Sequence, residues 1–598
     1  MPRDWAPFLS QLHERQAEAG FLSRQAVEEV ASKCGVSTAE AWGAVDFYHY
    51  FLTRPEEAPA ERCEGPVCGI LRSLGGEIAG ETEKPDRPGT KAETTAHEAH
   101  QETSPDAGPQ RNGSAAAWGE GEASGPSREC ATTACPGLCD YGPARREGVV
   151  FRALGPVEGL APVEAPSTGQ VFAPPVVAED GAVFGQAVRP GGESLDDYLN
   201  VDGYRQMKRL LEGQLGAGEA LQTLHDSGLR GMGGAGFPVA VKWKAVRQEA
   251  SIPKYVVCNA DEGEPGTFKD RAILHLVPHR LIEGMALCGR IVGSTRGIIY
   301  LRYEYPKAEQ ILRGAIEEAA EKGLLGDFRI EIRRGAGSYV CGEETALLNS
   351  LEGGMPWPRE KPPFPTQAGL FGRPTVINNV ETLAAVPAIL GRGAEWFAGL
   401  GRGQARGSKI YSVSGCVKRP GNYELPLGVT ARELIEKYAG GTIHSPVKAF
   451  TLGGISGGFL GSQYLDMPLD FEHPAKEGFF LGSGGVVVLD LAACPLDFVR
   501  RCLLFYESES CGRCSPCRIG TVRLREHFDA LTSSVATGAD WGEHLDPLLQ
   551  TMRSASACGL GRSVPLIVRG LLESCAEEVK EHRHGRCRNG VCFGGGRS

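Results

Sequence analysis

Three cysteines at C-x2-C-x2-C spacing, Cys511, Cys514 and Cys517, constrain this chain more than any other feature of its sequence. Three thiolates this close cannot all pair as disulfides, whereas the spacing lets successive turns aim the sulfurs at one point, as iron–sulfur ligands require. The next cysteine along the chain that suits a fourth ligand is Cys558. A structural zinc site also takes four cysteines, but such sites more often pair two C-x2-C motifs. The pattern therefore favours an iron–sulfur cluster that carries electrons.

The size and composition of the chain predict a soluble multidomain protein. A length of 598 residues exceeds what a single hydrophobic core usually supports. The formal net charge of −11 and the lack of a basic tract argue against a nucleic-acid partner. The start of the chain lacks a signal-peptide pattern, and no apolar run of about 18 residues predicts a membrane span. The 19 cysteines then indicate a reducing compartment, so we expect a cytoplasmic protein.

Changes in composition divide the chain into segments. Apolar residues at helical spacing predict an N-terminal helical segment, residues 1–55. Residues 79–128 contain almost no large apolar side chain, which predicts a disordered insertion, and residues 155–190 form a Pro/Gly-rich linker. Alternating strand and helix patterns then predict an α/β domain. This α/β domain is predicted at residues 191–400. A β-rich unit at 405–492, a helical domain at 493–586 and a tail at 587–598 are predicted to follow it.

A glycine-rich loop is the first candidate for a binding site. Gly231, Gly233 and Gly236 satisfy the pattern G-x-G-x-x-G. A Rossmann fingerprint needs a strand before this loop, whereas the preceding segment looks helical, so the ordinary dinucleotide site is doubtful. The backbone N–H groups of the loop can still cradle a phosphate, and Lys242 follows closely enough to meet its charge.

Four further polar segments accompany the loop. Residues 259–266 follow a β-rich run, where α/β folds bind ligands, although a solvated acidic turn explains them equally well. Glu343 and Glu344 stand where a helix is predicted to begin, and acids that complement a helix dipole are the alternative there. Residues 361–365 hold an aromatic ring on a stiff Pro-rich loop, and residues 378–382 add two asparagines and a threonine.

Taken together, the five segments and the cysteine motif resemble the NADH-oxidising flavoprotein subunit of respiratory complex I and its soluble relatives, over about residues 194–575. The resemblance implies a multidomain α/β fold with a Rossmann-like FMN domain, a ubiquitin-like (SLBB-type) domain and a C-terminal helical bundle. It implies hydride transfer between NAD(H) and FMN, followed by passage of single electrons. The [4Fe–4S] ligands that it implies are Cys511, Cys514, Cys517 and Cys558.

The resemblance also implies individual roles within the site. It places Glu264 and Glu344 in the NAD(H) site, and because hydride transfer needs no general acid, we expect these two catalytic-site acids to act through binding and electrostatic tuning. It implies NAD(H) stacked on the flavin, and the further residues that line the NAD(H) site are Phe237, Lys361 and Phe364. The residues implied to hold FMN or to border it are Gly231, Gly233, Gly234, Gly236, Lys242, Asn259, Asp261, Glu262, Tyr339, Gly342, Glu343, Asn378, Asn379 and Thr382.

The N-terminal part resembles the usual companion of that subunit, a thioredoxin-like [2Fe–2S] protein, so the chain looks like a natural fusion of the two. Residues 56–154 would form this domain, and the implied cluster ligands are Cys63, Cys68, Cys135 and Cys139. The other thiols are interpreted as small buried hydrophobic side chains, Cys494 among them. Cys587 and Cys592 in the tail resemble a remnant of a further module, and two thiols alone make no cluster.

The partner of such a fused chain is the remaining question. The resemblance favours the beta subunit of an NAD-dependent molybdenum or tungsten formate dehydrogenase, with the metal site on a separate alpha subunit. Two observations favour it, the complete set of four N-terminal cysteines and the apolar Met232 within the glycine-rich loop. The alternatives are the diaphorase subunit of an NAD-reducing nickel–iron hydrogenase and a complex I-like NADH dehydrogenase. A non-catalytic zinc-binding scaffold is the hypothesis from another functional class.

Overall fold

A computed structural model describes residues 6–19, 21–47, 144–147, 150–153, 176–178, 180–185, 193–533 and 544–593. The expected disordered insertion and most of the expected [2Fe–2S] domain lie outside these residues. The described N-terminal elements are α1 (Ala6–Ala19), α2 (Arg24–Cys34), α3 (Thr38–Phe47), β1 (Ala144–Glu147), β2 (Val150–Ala153) and β3 (Val176–Ala178). Ser23 caps α2 by accepting a hydrogen bond from the N–H of Ala26, and Gly35 ends it in the left-handed conformation.

The α/β domain follows as predicted. Its elements are α4 (Leu195–Asn200), α5 (Arg205–Leu211), α6 (Ala217–Ser227), α7 (Val239–Gln248), β4 (Tyr255–Ala260), α8 (Lys269–Leu276), α9 (Pro278–Val292), β5 (Arg296–Leu301), α10 (Pro306–Glu321), β6 (Arg329–Arg334), α11 (Glu344–Leu351), α12 (Pro365–Ala368), β7 (Thr375–Asn379), α13 (Val380–Arg392) and α14 (Ala394–Gly399). The glycine-rich loop therefore follows a helix, α6, as the sequence indicated.

The four strands of this domain form a parallel sheet in the order β6-β5-β4-β7. The order reverses at β4, because the chain builds outward through β5 and β6 before it returns to place β7 on the other side. Ligands of open α/β sheets bind at the carboxyl ends of the strands beside such a reversal. The carboxyl ends of β4 and β7 carry Asn259 and Asn379, which are paired in register.

The next domain is β-rich. Its elements are β8 (Ser408–Gly415), β9 (Gly421–Pro426), a π-helix (Glu433–Tyr438), β10 (Val447–Leu452), β11 (Gly458–Gly461), α15 (His473–Lys476) and β12 (Gly485–Asp490). The strands form a mixed sheet in the order β11-β10-β12-β8-β9-β3. Strand β3 adds to the edge in parallel with β9, so a segment from before the α/β domain completes this sheet.

The chain ends in a helical bundle. Its helices are α16 (Pro495–Ser508), α17 (Ser515–Thr532), α18 (Leu545–Ala555), α19 (Gly559–Ser574) and α20 (Ala576–Arg583). Proline at the first position of α16 suits a helix start, because its missing N–H would have no partner there. Helix α19 packs on β11, and a shared apolar core that includes Phe459, Val487 and Leu489 joins the bundle to the β-rich sheet.

A second apolar cluster joins the N-terminal helices to the α/β domain. Phe8, Leu12 and Val27 are fully buried in one cluster with Tyr300 and Leu347 of the α/β domain. Burying these side chains is worth about 2 kcal/mol each, so the contact anchors α1 and α2 on the sheet. No helix in the described part of the chain is long and apolar enough to cross a membrane.

Candidate flavin and cluster site

The candidate site is a cavity of about 270 Å³ between the carboxyl ends of β4 and β7, the β-rich domain and the start of α19. Many of the side chains and glycines implied by the sequence resemblance lie in its wall. Those that line the cavity are Gly233, Gly234, Asn259, Asp261, Glu262, Glu264, Tyr339, Gly342, Glu343 and Asn379. Residues 259–264 and Asn379 meet because they lie at or just after the carboxyl ends of the adjacent strands β4 and β7, and the glycine-rich loop between α6 and α7 packs against the end of β7.

The glycine-rich loop presents its backbone to this cavity. The N–H of Gly231 donates to Phe237 O at 2.9 Å and the N–H of Gly236 donates to Gly231 O at 3.2 Å, which closes a tight turn. A Cβ on Gly233 would lie 2.8 Å from Cβ of Asn379, closer than two carbon atoms can pack. The loop therefore approaches the end of β7 only because Gly233 has no side chain.

Two side chains hold the loop from beneath at Met232. Thr382 Oγ1 accepts a hydrogen bond from the N–H of Met232 at 2.8 Å, and Lys409 Nζ donates to Met232 O at 3.0 Å. The Met232 side chain is 2 % exposed and packs in the main core, which explains why an apolar residue suits this position. The sequence placed Thr382 among the flavin ligands, and here it positions the loop.

A buried charge network that the sequence did not predict lies under the cavity. Lys269 Nζ lies 2.6 Å from Asp270 Oδ1, 3.0 Å from Glu381 Oε2 and 3.0 Å from Asn379 Oδ1. Lys409 Nζ lies 3.2 Å from the same Glu381 oxygen, and burial lowers the pKa of Lys409 to about 8. Buried charges of this kind are tolerated only when they are paired. In the sequence they look like ordinary surface charges, since nothing local marks them as buried.

Asp261 gives the clearest sign that the cavity takes a polar ligand. Its Oδ2 atom is buried without a hydrogen-bond partner, although the residue lines the cavity. Burial raises the pKa of this carboxyl well above its ordinary range. Asn259 keeps the neighbouring turn in place, because its Nδ2 donates to Gly342 O at 2.8 Å and its Oδ1 accepts from the N–H of Asp261. An unpartnered buried carboxyl oxygen requires a hydrogen-bond partner, such as a ligand hydroxyl or ring N–H.

Two of the predicted site carboxylates, Glu262 and Glu264, already accept hydrogen bonds from groups of the protein. Glu262 accepts from the N–H groups of Asp270 and Arg271 at the start of α8, and burial raises its pKa to about 7. Glu264 accepts from the N–H groups of Ile455 and Ser456 at 2.8 and 3.0 Å. These contacts make Glu262 a helix cap.

Glu264 joins the α/β domain to the β-rich domain. Its Oε2 accepts from Tyr339 Oη at 2.5 Å and from Ser456 Oγ at 2.6 Å, in addition to the two backbone bonds on Oε1. Burial raises the pKa of Glu264. Both carboxylate oxygens therefore have protein donors. Glu264 acts on the cavity by fixing Tyr339, which lines the same wall.

A group of charged residues, called the rim below, adjoins the cavity through Glu343 in its wall and includes Glu344 and Lys361, which the resemblance assigned to NAD(H). Lys361 Nζ lies 2.6 Å from Glu344 and 3.3 Å from Glu343, and Lys242 Nζ lies 3.5 Å from Glu344. Burial raises the pKa of Glu344, but Lys242 and Lys361 outweigh that effect and hold it below its ordinary value. Glu344 is therefore an ionised carboxylate between two ammonium groups.

Two aromatic rings that the resemblance assigned to the NAD(H) site are exposed. Phe237 is 49 % exposed and Phe364 is 50 % exposed, whereas side chains of this size are usually buried. Exposed aromatic rings suit a ligand that contains a flat ring. Asn378, by contrast, faces inward, because its Oδ1 accepts from Trp243 Nε1 at 2.8 Å.

The C-terminal cysteines converge at two helix starts. Cys514 precedes the first residue of α17 and Cys558 precedes the first residue of α19. The N–H of Ala557 lies 3.4 Å from Cys514 Sγ, which links the distant cysteine segment to the triple. Helix N-termini favour negative charge, so both ends would stabilise thiolates that bind iron.

The surroundings of Cys517 show that helix α19 and the other three thiols lie close to it. A Cβ on Gly561 would lie 2.8 Å from Cβ of Cys517, so α19 approaches that thiol closely. Burial raises the pKa of Cys517 to about 12, and the neighbouring Cys514, Cys558 and Cys511 contribute to the shift. Thiols that disfavour one another's ionisation in this way gain most from a metal cluster that neutralises them. The donor set fits a [4Fe–4S] cluster.

Cys558 belongs to both sites. Together with Gly559, Leu560 and Ser563 it lines the cavity that also contains Gly233 and Asn259. A cluster on Cys558 would consequently border a flavin in the cavity without an intervening layer of protein. The four N-terminal cysteines, Cys63, Cys68, Cys135 and Cys139, lie outside the described residues.

Comparisons with known proteins agree with this arrangement. Residues 224–388 match the Nuo51 FMN-binding domain, and residues 497–582 match the NADH-ubiquinone oxidoreductase-F iron-sulfur binding region. Residues 1–84 match the thioredoxin-like [2Fe-2S] ferredoxin family, and residues 410–458 match the SLBB domain.

Whole proteins from several organisms are similar as well. The second F-type subunit of the NADH-quinone oxidoreductase of Rhizobium meliloti is 44% identical over 405 residues, which cover 66% of this chain and 95% of the relative. The chain belongs to the family of F-type subunits of NADH-quinone oxidoreductase. NADP-reducing hydrogenase subunit HndC of Solidesulfovibrio fructosivorans is 42% identical over 65% of this chain and 81% of its own length.

A solved structure extends the likeness to almost the entire chain. A chain of an NAD+-reducing [NiFe]-hydrogenase in the H2-reduced state has a TM-score of 0.75 at 30% identity, and the match covers 97% of this chain and 94% of that one. The family membership confirms the predicted cofactors, FMN, a [4Fe–4S] cluster and a [2Fe–2S] cluster. This chain is an NADH-oxidising oxidoreductase component of this F-type family.

Proposed function

We propose that this chain is the diaphorase (beta) subunit of an NAD+-dependent formate dehydrogenase, which exchanges electrons between NAD(H) and a molybdenum or tungsten alpha subunit. The observation that carries the diaphorase role is the shared wall between the candidate flavin cavity and Cys558. FMN, when bound, supplies the conversion between hydride and single electrons. The residues of the chain bind the partners of this reaction and orient them.

The inner wall would hold the flavin. The backbone of Gly233 and Gly234 offers N–H groups to the phosphate, and the buried Oδ2 of Asp261 offers an acceptor to a ligand hydroxyl or ring N–H. Asn259 and Asn379 lie at the paired ends of β4 and β7, so both are placed by the sheet. This rigid edge gives the orientation that hydride transfer requires.

The rim would hold the nicotinamide cofactor. Phe237 and Phe364 present exposed rings to the adenine or nicotinamide, while Lys242 and Lys361 supply positive charge for the pyrophosphate. Glu344 keeps both lysines oriented and offers carboxylate oxygens to a ribose hydroxyl. Hydride transfer needs no general acid, so these acids act through binding and electrostatics.

The choice of formate dehydrogenase rests on the sequence. The chain keeps all four cysteines of the N-terminal cluster motif, Cys63, Cys68, Cys135 and Cys139, whereas the hydrogenase subunits that the chain resembles tend to lose them. Met232 gives the glycine-rich loop the apolar residue that suits the formate dehydrogenase subunits. Both observations concern the NAD(H)-binding chain and not its partner, so the partner's metal is the decisive quantity to measure.

The second candidate is the diaphorase subunit of a nickel–iron hydrogenase. The observation that favours it is the match to an NAD+-reducing [NiFe]-hydrogenase chain over 97% of this chain. In both candidates the described residues bind NAD(H) and pass electrons onward, and only the catalytic metal differs.

Metal analysis of the complex that copurifies with this chain separates the two. The chain would be purified from its native host without oxygen, and the complex would be assayed for formate-dependent and hydrogen-dependent reduction of NAD+. About one molybdenum or tungsten atom per chain with formate activity supports the proposal. Nickel with hydrogen activity and neither of the other metals overturns it in favour of the hydrogenase, and absence of all three points to a complex I-like assembly.

A further inference from the structure

Four side chains that play no part in the flavin or cluster sites converge at the end of the bundle. Cys494, His582, Cys587 and Cys592 place their ligand atoms within 4.8 Å of one another. Cys494 comes from the start of α16, His582 from α20 and the two other thiols from the tail. The sequence interpretation treated Cys494 as a hydrophobic core residue and the tail thiols as an incomplete pair, because the four are separated by as many as 98 positions.

The distances fit one tetrahedral metal ion. Cys494 Sγ lies 3.8 Å from Cys592 Sγ and 3.5 Å from His582 Nε2. Zinc bonds of about 2.3 Å to sulfur and about 2.0 Å to nitrogen, at tetrahedral angles, place two sulfurs about 3.8 Å apart and a sulfur and a nitrogen about 3.5 Å apart. A disulfide between the same sulfurs would need about 2.0 Å.

The histidine is set in the protonation state that a metal requires. His582 Nδ1 lies 2.7 Å from the carbonyl oxygen of Glu578, which can only accept a hydrogen bond. Nδ1 therefore carries the proton, and the lone pair of Nε2 faces the thiols. Metal-binding histidines are usually oriented by such a bond on the other ring nitrogen.

Three of the four candidate ligands are buried, and solvent reaches the group mainly at Cys587. Cys494, His582 and Cys592 are 4 %, 1 % and 6 % exposed, while Cys587 is partly exposed. A turn at Gly590, whose φ is +66° and whose N–H donates to Cys587 O, brings the last thiol back towards the first. The ring of Phe593 lies 5.6 Å from that of His582 and covers one side.

We propose that these four residues bind a structural zinc ion. Three thiolates and one imidazole form a closed Cys3His set, in which no coordination position remains for substrate. Zinc displaces three thiol protons on binding and neither gains nor loses electrons. The ion fastens the tail to the junction between β12 and the bundle, where Asn589 Nδ2 also donates to Leu491 O at 2.8 Å.

The test measures metals in the full-length chain, with zinc and iron counted separately. We expect one tightly bound zinc per chain after dialysis against a mild chelator. Changing Cys587 and Cys592 to serine together should remove that zinc and leave iron and FMN unchanged. Cys575→Ser is the matched control, because Cys575 is a buried thiol of the same bundle outside the cluster, and it should keep zinc. Cys511→Ser should lose iron and keep zinc.

Alkylation of the unmodified chain keeps the proposal testable if the double variant does not fold. Mass spectrometry would map which thiols react before and after removal of zinc by a strong chelator. Cys587 is partly exposed, so its protection before chelation and its reaction afterwards support a bound metal. The proposal is overturned by a zinc-free native chain, by zinc retained in the folded double variant, by Cys587 reacting without chelation, or by a disulfide between Cys587 and Cys592.

Discussion

The backbone N–H of Ala557 lies 3.4 Å from Sγ of Cys514, a contact between segments 43 positions apart. It places Cys558, the next residue, beside the cysteine triple and also in the wall of the candidate flavin cavity. The same short segment thus serves the cluster and the cavity. A change at Cys558 should remove the cluster and leave flavin binding intact, because the cavity loses only one of its many wall residues.

We expect Cys558→Ser to lose the [4Fe–4S] cluster while it retains FMN. A cluster of this type needs four thiolates, and a serine hydroxyl at the fourth position is a much weaker ligand. Iron content should fall by about four atoms per chain, and the flavin content should remain near that of the unmodified chain. Cys288→Ala, a fully buried thiol in the α/β core, should change neither quantity. Full iron content in Cys558→Ser would contradict the ligand assignment.

Glu344→Gln should slow reduction of the flavin by NADH. The carboxylate lies between Lys242 and Lys361, and an amide can neither balance two ammonium groups nor accept as strongly from a ribose hydroxyl. We expect a loss of about tenfold, equivalent to about 1.4 kcal/mol, in rapid-mixing measurements of flavin bleaching. Glu212→Gln removes an exposed carboxylate that pairs with Lys208 and should leave the rate unchanged. Equal rates in Glu344→Gln and the unmodified chain would rule out the assigned role.

Gly233→Ala should weaken the binding of FMN. The added Cβ would lie 2.8 Å from Cβ of Asn379, so the loop or the end of β7 must move away from the cavity. A displacement of this kind typically costs about 1–3 kcal/mol, which corresponds to a loss of flavin affinity of at least about fivefold. Equilibrium dialysis of the purified protein measures it. Gly314→Ala is the control, because nothing lies within 4 Å of its Cβ, and it should bind FMN normally.

Asp497→Asn should destabilise the bundle in a pH-dependent manner. Burial raises the pKa of Asp497, but Arg501 and Arg500, both 2.9 Å away, outweigh that effect and hold the pKa below its ordinary value. A carboxyl with a lowered pKa stabilises the folded state above its unfolded pKa of about 3.9 and loses that contribution as the pH falls through the folded pKa.

At pH 7 we therefore expect the variant to unfold at a lower temperature, which reflects a loss of about 2 kcal/mol. The difference between the variant and the unmodified chain should shrink as the pH falls below about 4. Thermal unfolding followed by circular dichroism at pH 7 and at a pH below about 4 measures this difference. Asp546→Asn changes an exposed acid in the first turn of α18 and should show little effect at either pH. A difference that stays constant with pH would contradict the ion-pair explanation.

Local sequence determined the elements and much of the chemistry. Helix α6 before the glycine-rich loop, strand β4 before residues 259–266 and the spacing of Cys511, Cys514 and Cys517 all follow from patterns within about twenty residues. The family's five polar segments also lie close to strand or helix ends, so their grouping at one sheet edge follows from parallel topology. The roles within the group were harder to predict, because Thr382 and Asn378 look like ligands in the sequence and face protein partners in the structure.

Tertiary structure alone decided the rest. The buried pairs of Lys269 and Lys409 with Glu381 depend on how two domains pack, and a charged residue in a sequence carries no local sign that it is buried. The candidate zinc site depends on the meeting of three segments, since Cys494 has no partner near it in sequence. A short pattern specifies a helix or a metal-binding turn because the atoms involved are neighbours along the chain. A site assembled from distant segments is specified only when the folded core brings those segments into contact.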